Sequence, residues 1–298
     1  IEAKLRKIPV VMHVHDYKLI CPNYKLFHHG KIDESCRGGK YYRCVTHKCF
    51  KDSYLKSFLV TAEMYFHHRL LKIYEKNIDL YLAPSHFVEH KLVEWGIATD
   101  KVQTLYHFVE TKGIEPHYEL GKYLLYFGRL DQEKGVNILI RALAKTKSQV
   151  PLKIVGAGPE RKHLEELVAE LNLTARVEFV GPKYGDELQT IIREAYLIVV
   201  PSIWYEVFGL VILEAAALGK FVIASDIGGI REAVESSRSA LLVPAGNARE
   251  LATKLDWSLA NPKAVSDFAH EARGFVERKF TAEEHLRNLL GIYRELIK

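Results

Sequence analysis

The chain has 298 residues, of which 48% are hydrophobic and 27% are charged, and its formal net charge is +5. This length accommodates one large domain or two ordinary ones, and the composition excludes a collagen, a disordered tail and a coiled coil. No uncharged apolar stretch reaches the ~18 residues of a membrane span. The first residues, with Glu2, Lys4 and Arg6, lack the pattern of a signal peptide. Because the chain starts at Ile1 rather than Met, we expect it to begin inside a domain.

Positive charge is concentrated in the first third of the chain. Residues 1–108 include 17 basic and 11 acidic residues, whereas the remainder includes 25 basic and 26 acidic residues. No long run of lysine and arginine accompanies this excess, so we do not expect a nucleic-acid partner. An anionic acceptor or an anionic membrane surface accounts for the excess equally well.

The same first third contains all four cysteines, Cys21, Cys36, Cys44 and Cys49, and ten of the 14 histidines. None of the cysteines shows the CxxC spacing typical of a zinc site. Four cysteines leave three disulfide connectivities open. We favour reduced thiols in a loop over the alternative, a structural metal or disulfide cluster.

The predicted elements alternate between strands and helices, which is typical of parallel sheets. Residues 10–14 read as a buried strand that leads to His15, and a loop rich in cysteine, glycine, histidine and lysine follows over residues 21–52. Ser53 then has the character of a helix N-cap. Apolar residues recur behind it at helical spacing: Leu55, Leu59, Ala62, Phe66, Leu70 and Ile73. The other elements of the first third are strand 80–83, helix 87–95 and strand 102–105.

Glycine, proline and charged residues break this pattern over residues 110–121 and indicate a domain linker. The strands predicted after it are 123–127, 152–155, 177–180, 197–200, 221–224 and 240–243. The helices are 136–145, 160–171, 186–194, 209–218, 230–235 and a final helical run to Lys298. This second domain is predicted to be a complete doubly wound sheet, and the first a partial one without its opening strands. Ligands of such sheets bind in the loops after the strands.

One such loop, Gly156-Ala157-Gly158, imitates a dinucleotide fingerprint, because it links a strand to a helix and Glu178 follows about twenty residues later. Arg161 stands where the third glycine belongs. A tight turn with backbone N–H groups facing a cleft is therefore favoured over nicotinamide or flavin binding.

The loop after strand 123–127 contains Gly128, Arg129 and Lys134. A guanidinium and an ammonium at a strand end suit phosphate oxygens, and a diphosphate leaving group needs such charge as its bond breaks. The alternative is that both cations are solvated and paired with Asp131 and Glu133. With cations supplied by side chains, we expect no metal.

The loop after strand 197–200 contains Glu206, and Glu214 follows inside an apolar helix. A glutamate amid valine, isoleucine, leucine and alanine is costly to bury without a partner, and ribose hydroxyls would supply one. The backbone N–H groups of Phe208–Leu210, where Gly209 opens the helix, can face an anion or a sugar. The following Asp226-Ile227-Gly228-Gly229 segment reads as a turn.

Two of these motifs resemble those of a known family. They are GRLDQEKG and the pair of glutamates eight residues apart within PSIWYEVFGLVILEAAALGKFVIASDIGG. The family is that of the retaining glycosyltransferases of family 4, the glycosyl transferases group 1 domain, which have the GT-B fold. The resemblance covers residues 123–280. It extends more loosely to HVHDYKLICP and LAPSHFVEHKLVEWGI in the first third. It implies two Rossmann-like domains facing a cleft, with an incomplete N-terminal domain over residues 1–109, a nucleotide-sugar-binding domain over 110–280 and a terminal helix over 281–298 that packs back toward the first domain.

The resemblance also implies residue roles. The implied donor-binding residues are Gly128, Arg129, Lys134, Phe208, Gly209, Leu210 and Glu214, and the implied catalytic residues are His15 and Glu206. Arg129 and Lys134 would hold the diphosphate and Glu214 the ribose, while Glu206 would hold the donor sugar with His15 beside it. No metal ligand is implied.

The implied activity is transfer of a hexose from a GDP- or UDP-linked donor to a glycan or lipid-linked acceptor, with attack on the face from which the nucleoside diphosphate leaves. The implied enzyme needs neither metal nor cofactor, and we expect a cytoplasmic protein. The alternatives are a nucleotide-sugar epimerase on the same fold and a non-catalytic partner protein.

For the helix after Ser53, the favoured prediction is an amphipathic helix that covers the sheet. The alternative is a helix that contacts a membrane surface.

Overall fold

A computed structural model describes residues 2–234 and 240–297 of the chain. They form two compact units. The second unit is His107–Glu284, and the first unit consists of the described residues before it, up to Tyr106, and after it, from His285. From the sequence, the two domain boundaries were expected after residues 109 and 280.

The first unit is built on a small parallel sheet. The strands of this unit are β1 (Val11–His13), β2 (Phe27–His28), β3 (Lys31–Ile32), β4 (Leu80–Ala83) and β5 (Val102–Thr104). Its helices are α1 (Glu2–Leu5), α2 (Tyr42–Thr46), α3 (Tyr54–Tyr65), α4 (Ile73–Asn77) and α5 (His86–Glu94). The sheet has the order β1-β4-β5, and β2 and β3 pair separately as an antiparallel hairpin.

A helix from the far end of the described chain completes the core of this unit. Helix α12 (Ala282–Ile297) buries Ile292 against Leu80, Leu82 and Leu105. Leu80 and Leu82 belong to β4, and Leu105 directly follows β5, so the helix covers a sheet that is more than 170 residues away in sequence.

The cysteine-rich segment, residues 21–52, has little regular structure beyond β2, β3 and α2, and it packs against α3. Cys36, Tyr41, Cys44 and Met64 form a small buried cluster. No disulfide joins Cys21, Cys36, Cys44 and Cys49, which are all free in this structure.

The orientation of α3 contradicts the favoured sequence prediction that its apolar stripe covers the sheet. Ser53 caps the helix as predicted, its hydroxyl accepting a hydrogen bond from the Lys56 N–H. The buried residues of α3, however, are Ser57, Thr61 and Met64. The exposed residues on this helix and the π-helical turn after it (Phe66–Leu70) include Leu55 at 68%, Phe58 at 57%, Leu59 at 58%, Phe66 at 50% and Leu70 at 70%.

The second unit is a six-stranded parallel sheet within the described residues. Its strands are β6 (Leu124–Phe127), β7 (Leu152–Val155), β8 (Val177–Gly181), β9 (Leu197–Val200), β10 (Val222–Asp226) and β11 (Leu241–Pro244). Its helices are α6 (Val136–Leu143), α7 (Arg161–Glu170), α8 (Gly185–Arg193), α9 (Leu210–Ala217), α10 (Ala248–Ala260) and α11 (Pro262–Lys279). The order β11-β10-β9-β6-β7-β8 is that of a Rossmann-like doubly wound sheet.

This strand order decides where a ligand can bind. The chain adds β7 and β8 on one side of β6 and then returns to add β9 on the other side. The loops after β6 and β9 therefore leave the same edge of the sheet next to each other, at the switch point where the strand order reverses. Leu124, Leu139, Ile154, Leu197 and Ile223 lie in one buried cluster beneath the sheet and its helices.

One predicted helix is different in the structure. Residues 230–235 were predicted as a helix, and the structure shows a 3₁₀ helix over Gly228–Ala233 instead, while Glu235 lies outside the described residues. Across the ranges that the structure covers, every helix is too short or too polar to cross a lipid bilayer.

The Gly156-Ala157-Gly158 turn supports the neighbouring loop by close backbone contact. The Leu130 N–H donates to the Ala157 carbonyl at 2.9 Å, and a Cβ built on Gly158 would lie 2.3 Å from the Leu130 carbonyl oxygen. The glycine is thus required by the approach of two loops, which explains the motif without a dinucleotide.

We expect Gly158→Ala to destabilise the protein by about 1–3 kcal/mol, because the added methyl group must push the two loops apart. Gly291→Ala is the matched control, since its Cβ meets nothing within 4 Å and it lies in α12. That control should gain about 0.5–1 kcal/mol from higher helix propensity. Urea unfolding measures both. Equal stability of Gly158→Ala and the unsubstituted protein would contradict the close approach.

Candidate functional site

A cavity of about 290 Å³ opens at the switch point of the second unit. Its lining includes seven of the residues singled out in the sequence: Gly128, Arg129, Lys134, Glu206, Phe208, Gly209 and Leu210. They come from the loops after β6 and β9, which the strand order makes neighbours. The structure thus brings the two sequence motifs together in one place.

Backbone contacts join these two loops. The Ile203 N–H donates to the Glu133 carbonyl at 2.9 Å. Gly135 has φ of 67° and starts α6, and a Cβ there would lie 2.1 Å from the Pro201 carbonyl oxygen. Only glycine combines this left-handed backbone with so close an approach.

Glu206 is a buried carboxylate, and it is held by charge and by hydrogen bonds. Its Oε1 accepts from Lys134 Nζ at 2.6 Å and from the Ser202 hydroxyl at 2.6 Å. Burial by itself raises the pKa of Glu206, but the positive charge of Lys134 and hydrogen bonds from Lys134, Ser202 and Trp204 outweigh burial and hold the pKa below its ordinary value. The carboxylate is therefore ionised at neutral pH.

The Asp226-Ile227-Gly228-Gly229 turn supports Glu206 from the neighbouring strand end. The Gly229 N–H donates to the Glu206 carbonyl at 2.7 Å. The predicted turn is therefore close to the cavity and holds its backbone in place, although its residues are not in the cavity lining.

Arg129 is the most exposed cation of the cavity. Its side chain is 61% exposed, and its guanidinium lies 2.7 Å from Asp131 and 3.7 Å from Glu133. The pairing that the sequence analysis gave as an alternative therefore occurs for Arg129. Lys134 pairs with Glu206 instead, and its ammonium lies 5.1 Å from the centre of the Trp204 ring.

Helix α9 begins at the cavity. Gly209, with φ of 113°, is its N-cap, and no side chain caps the helix. The first N–H groups of the helix, those of Leu210 and Val211, belong to residues that line the cavity. Uncapped N–H groups and the helix dipole favour an anion at this end. Phe208 is held by edge-on contacts of its ring with His107 and Phe280.

Glu214 is placed differently from the sequence prediction. It was expected to be buried in the apolar helix, but its side chain is exposed, on the same face of α9 as the exposed Leu210 four residues before it. The protein around it still removes enough water to raise its pKa. The carboxylate of Glu214 has no hydrogen-bond or ion-pair partner among the described residues, and Glu214 is not in the cavity lining.

His15 belongs to the first unit, two residues after β1 ends at His13. Its imidazole is exposed and stacks on His13 with 5.9 Å between ring centres. The structure therefore groups seven of the nine predicted site residues in one cavity, while Glu214 and His15 lie outside its lining.

The cavity also contains residues that sequence reasoning missed, among them His107, Tyr126 and Ser202. Ser202 stands in the PSIWYE motif, so its distance of four residues from Glu206 was a readable signal. The Tyr126 hydroxyl donates to the Arg129 carbonyl at 2.6 Å and holds the loop after β6. His107 lies near the predicted linker, where no pattern in the sequence distinguished it.

A second cavity of about 280 Å³ adjoins the first. Both linings contain Phe127, Gly128 and Arg129. The remaining lining residues of the second cavity are Val155, Gly156, Ala157, Pro182, Lys183, Tyr184 and Leu188. Arg129 therefore stands at the junction of two concave surfaces along the same sheet edge.

Comparison with known proteins agrees with this geometry. Residues 109–275 match the family model described as glycosyl transferases group 1. The D-inositol 3-phosphate glycosyltransferase of Salinispora tropica is 35% identical over 191 residues, which cover 60% of this chain and 39% of that protein. The chain matches between 39% and 45% of the length of its curated relatives.

Solved structures share the fold. Sucrose-phosphate synthase from Thermosynechococcus elongatus has a TM-score of 0.74 at 25% identity, covering 99% of this chain and 70% of that one. Anabaena HepE in complex with UDP-glucose has a TM-score of 0.74 at 20% identity, covering 98% of this chain and 74% of that one. The expected GT-B class is confirmed.

We expect Lys134→Met to destabilise the protein by about 3–5 kcal/mol at neutral pH, because it leaves the Glu206 carboxylate buried without its cation. The lowered pKa of Glu206 means that its contribution to stability is present above the ordinary glutamate pKa and is lost as pH falls through the folded-state value. The difference between variant and unsubstituted protein should therefore shrink in acid. Urea unfolding at several pH values measures it.

The matched control is Lys162→Met. Lys162 is 89% exposed and lies 3.9 Å from Glu166, so its loss should change stability little at any pH. A loss for Lys134→Met that is the same at acid and neutral pH would contradict the electrostatic account.

Proposed function

Because the chain belongs to the glycosyl transferases group 1 family, we propose that it transfers a hexose from a nucleoside-diphosphate sugar to a glycan or lipid-linked acceptor, with retention of the anomeric configuration. The observation that supports this proposal most is the cavity at the switch point, where Arg129, Lys134 and the uncapped start of α9 face one space. Each of these groups suits an anion.

The donor diphosphate lies against Arg129 in this proposal. A guanidinium has five N–H donors, and the contacts with Asp131 and Glu133 use only part of them. The two carboxylates therefore orient the guanidinium while its other N–H groups remain able to bind phosphate. The position of Arg129 between the two cavities supports a ligand whose charged centre joins two parts, as a diphosphate joins a nucleoside to a sugar.

The sugar and the ribose need acceptors for their hydroxyl groups. Glu206 is ionised and can accept from a sugar hydroxyl, while Lys134 and Ser202 keep its carboxylate in place. Glu214 carries the ribose role in the proposal, because it stands one helical turn after Leu210, which lines the cavity, and its exposed carboxylate is unpartnered among the residues that the structure covers. The backbone at Phe208–Leu210 faces the donor sugar.

The reaction breaks the bond between the anomeric carbon and the diphosphate and forms a bond to the acceptor oxygen on the same face. Arg129, Lys134 and the α9 N–H groups offset the negative charge that grows on the leaving diphosphate. Since these groups supply positive charge, the proposed reaction uses neither metal nor cofactor. His15 has the role of contacting the reacting sugar in this proposal.

We expect isothermal titration calorimetry to show micromolar binding of a nucleoside diphosphate, with uridine, guanosine and adenosine diphosphates tested in turn. Arg129→Ala should weaken binding by roughly 10- to 100-fold, the value of charge-assisted hydrogen bonds. Glu214→Ala should weaken it as well, because the ribose hydroxyls lose their acceptor. Arg161→Ala is the control, since Arg161 pairs with Glu165 on α7 and lies in neither cavity lining.

Two outcomes would overturn the proposal. The absence of binding to all three diphosphates would remove the donor site. Incubation with a sugar nucleotide and no acceptor would separate the epimerase alternative, because accumulation of an epimerised sugar nucleotide requires no second substrate.

We further propose that α3 and the turn after it contact an anionic membrane surface, which would present a lipid-linked acceptor. The helix exposes large apolar residues where an ordinary surface helix exposes polar ones: Tyr54, Leu55, Phe58 and Leu59 on the helix, and Phe66 and Leu70 after it. Exposed basic residues stand around this apolar face: Lys51, Lys56, Arg69 and Lys72. An apolar face bordered by lysine and arginine is typical of helices that lie in a lipid interface.

We expect the protein to sediment with vesicles that contain phosphatidylglycerol and to bind phosphatidylcholine vesicles more weakly. The triple variant Leu55→Gln, Phe58→Gln, Leu59→Gln should lose this binding, and it should fold because all three side chains are exposed. Leu286→Gln on α12, where the leucine is 53% exposed, is the control. Unchanged sedimentation of the triple variant would contradict the proposal. The proposal would also be contradicted if the unsubstituted protein were a dimer and the triple variant a monomer, because the apolar face would then bind a second copy of the chain.

A further inference from the structure

The cysteine-rich segment contains a cluster of metal-ligand types that the proposed reaction does not use. A ring nitrogen of His28, a carboxylate oxygen of Asp33 and the Cys49 thiol all lie within 4.8 Å of one another. The cluster belongs to the first unit and is independent of the cavity at the switch point.

Local structure brings these three residues together. His28 ends β2 and Asp33 follows β3, so the hairpin places them on neighbouring strands. Cys49 comes shortly after α2, and its N–H donates to the Cys44 carbonyl at 2.9 Å. The Asn23 side chain donates to the Phe27 carbonyl at 3.0 Å.

The carboxylate of Asp33 is the centre of the cluster. Its Oδ1 accepts from the Ser35 N–H at 2.8 Å, which orients the carboxylate. Its Oδ2 lies 3.7 Å from the Cys49 Sγ and 3.6 Å from Nδ1 of His47. One oxygen therefore faces a thiol and an imidazole, with His28 close by.

His28 supplies an independent indication of a ligand. Its side chain is 13% exposed, and its buried Nε2 has no hydrogen-bond partner among the described residues, although the exposed Asp52 carboxylate lies 4.0 Å from it. A buried nitrogen without a partner is destabilising, and coordination to a metal would satisfy it.

We propose that His28, Asp33 and Cys49 bind a structural Zn²⁺ ion. The fourth ligand would be His47, which contacts the Asp33 carboxylate at 3.6 Å but lies outside the group of three and must move toward His28 and Cys49 on binding. Nitrogen, oxygen and sulfur ligands together suit zinc, whereas magnesium and calcium prefer oxygen alone. Ligand atoms of a tetrahedral zinc site lie about 3.3–3.8 Å apart, given bonds of about 2.0–2.3 Å. The Cys49 and Asp33 atoms already have that spacing at 3.7 Å, and the His28 nitrogen, within 4.8 Å of both, needs an inward movement of up to about 1 Å. A thiolate and a carboxylate would balance the charge of the ion, and the Cys49 proton would be released on binding.

A metal here would have a clear structural use. The segment has two strands of only two residues each, and α2 has only five residues. With so few backbone hydrogen bonds in regular structure, a loop-rich segment is stabilised by a cross-link between distant residues. The zinc would join the hairpin to the end of the segment. It would be a structural ion, separate from the sugar transfer, for which no metal is proposed.

The test uses the full chain and two metals. After incubation with zinc and removal of the excess, we expect one zinc ion per chain by elemental analysis. Cobalt(II) should give the visible absorption of a tetrahedral site together with a thiolate charge-transfer band. His28→Gln, Asp33→Asn and Cys49→Ser should each reduce the bound metal at least tenfold.

Two matched controls distinguish this site from its neighbours. His28 also belongs to a second group of possible ligands, with His29 and Asp52. His29→Gln should keep the metal, because the side chains of His29 and Asp52 are 68% and 74% exposed and already pair with each other. Cys36→Ser should also keep it, because Cys36 is not among the grouped ligands. Loss of metal in His29→Gln would overturn the assignment of ligands, and loss in Cys36→Ser would indicate a cysteine cluster instead.

A measurement on the unsubstituted protein keeps the proposal testable if a variant fails to fold. Zinc should slow alkylation of Cys49 by iodoacetamide at least tenfold, as read by mass spectrometry of its peptide, and a chelator should restore the rate. An unchanged alkylation rate, or zinc below one-tenth of an ion per chain, would overturn the proposal.

Discussion

The buried carboxylate of Glu206 is the constraint on which the candidate site depends. A charge in that position is stable only beside a partner, and its partner Lys134 lies 72 residues away on the loop of a different strand. The pair therefore requires the two loops to meet. The close contact between Gly135 and Pro201, and the support of Glu206 by Gly229, follow from the same requirement. The cavity keeps its shape because these contacts leave the two loops little freedom to separate.

The first unit shows an analogous dependence, with the cysteine-rich segment in the supporting role. The inward face of α3 rests on this segment: the Ser57 hydroxyl accepts from the Phe50 N–H at 3.0 Å, and the Thr61 hydroxyl donates to the Tyr41 carbonyl at 3.2 Å. Polar residues face inward because their partners are loop backbone, which needs hydrogen bonds. The apolar residues are left to face outward. A stable segment beneath α3 would thus hold the proposed membrane face in position.

Much of the second unit could be predicted from sequence, because buried parallel strands and their helices alternate with clear periodicity. The strand ends also indicated where Arg129, Lys134 and Glu206 would gather, since loops at one edge of a parallel sheet are neighbours. The pairing of Lys134 with Glu206 could not be predicted, because Asp131 and Glu133 offered nearer partners in sequence.

Periodicity likewise identified the apolar face of α3 but not the direction in which it points. The pattern fixes only which residues share a face, and the direction depends on the loop segment that α3 packs against. Glu214 was misjudged for a related reason: neighbours in sequence on a helix are spread around its axis, so an apolar run does not bury every position within it.

The path of the chain through the two units has a consequence for synthesis on the ribosome. Ile292 covers Leu80, Leu82 and Leu105, yet it is made only after every residue of the second unit. The second unit can close its core while the sheet of the first unit still lacks its helix. An order of folding in which the later-encoded unit matures first therefore follows from the connectivity, and the nascent first unit exposes those leucines until α12 emerges.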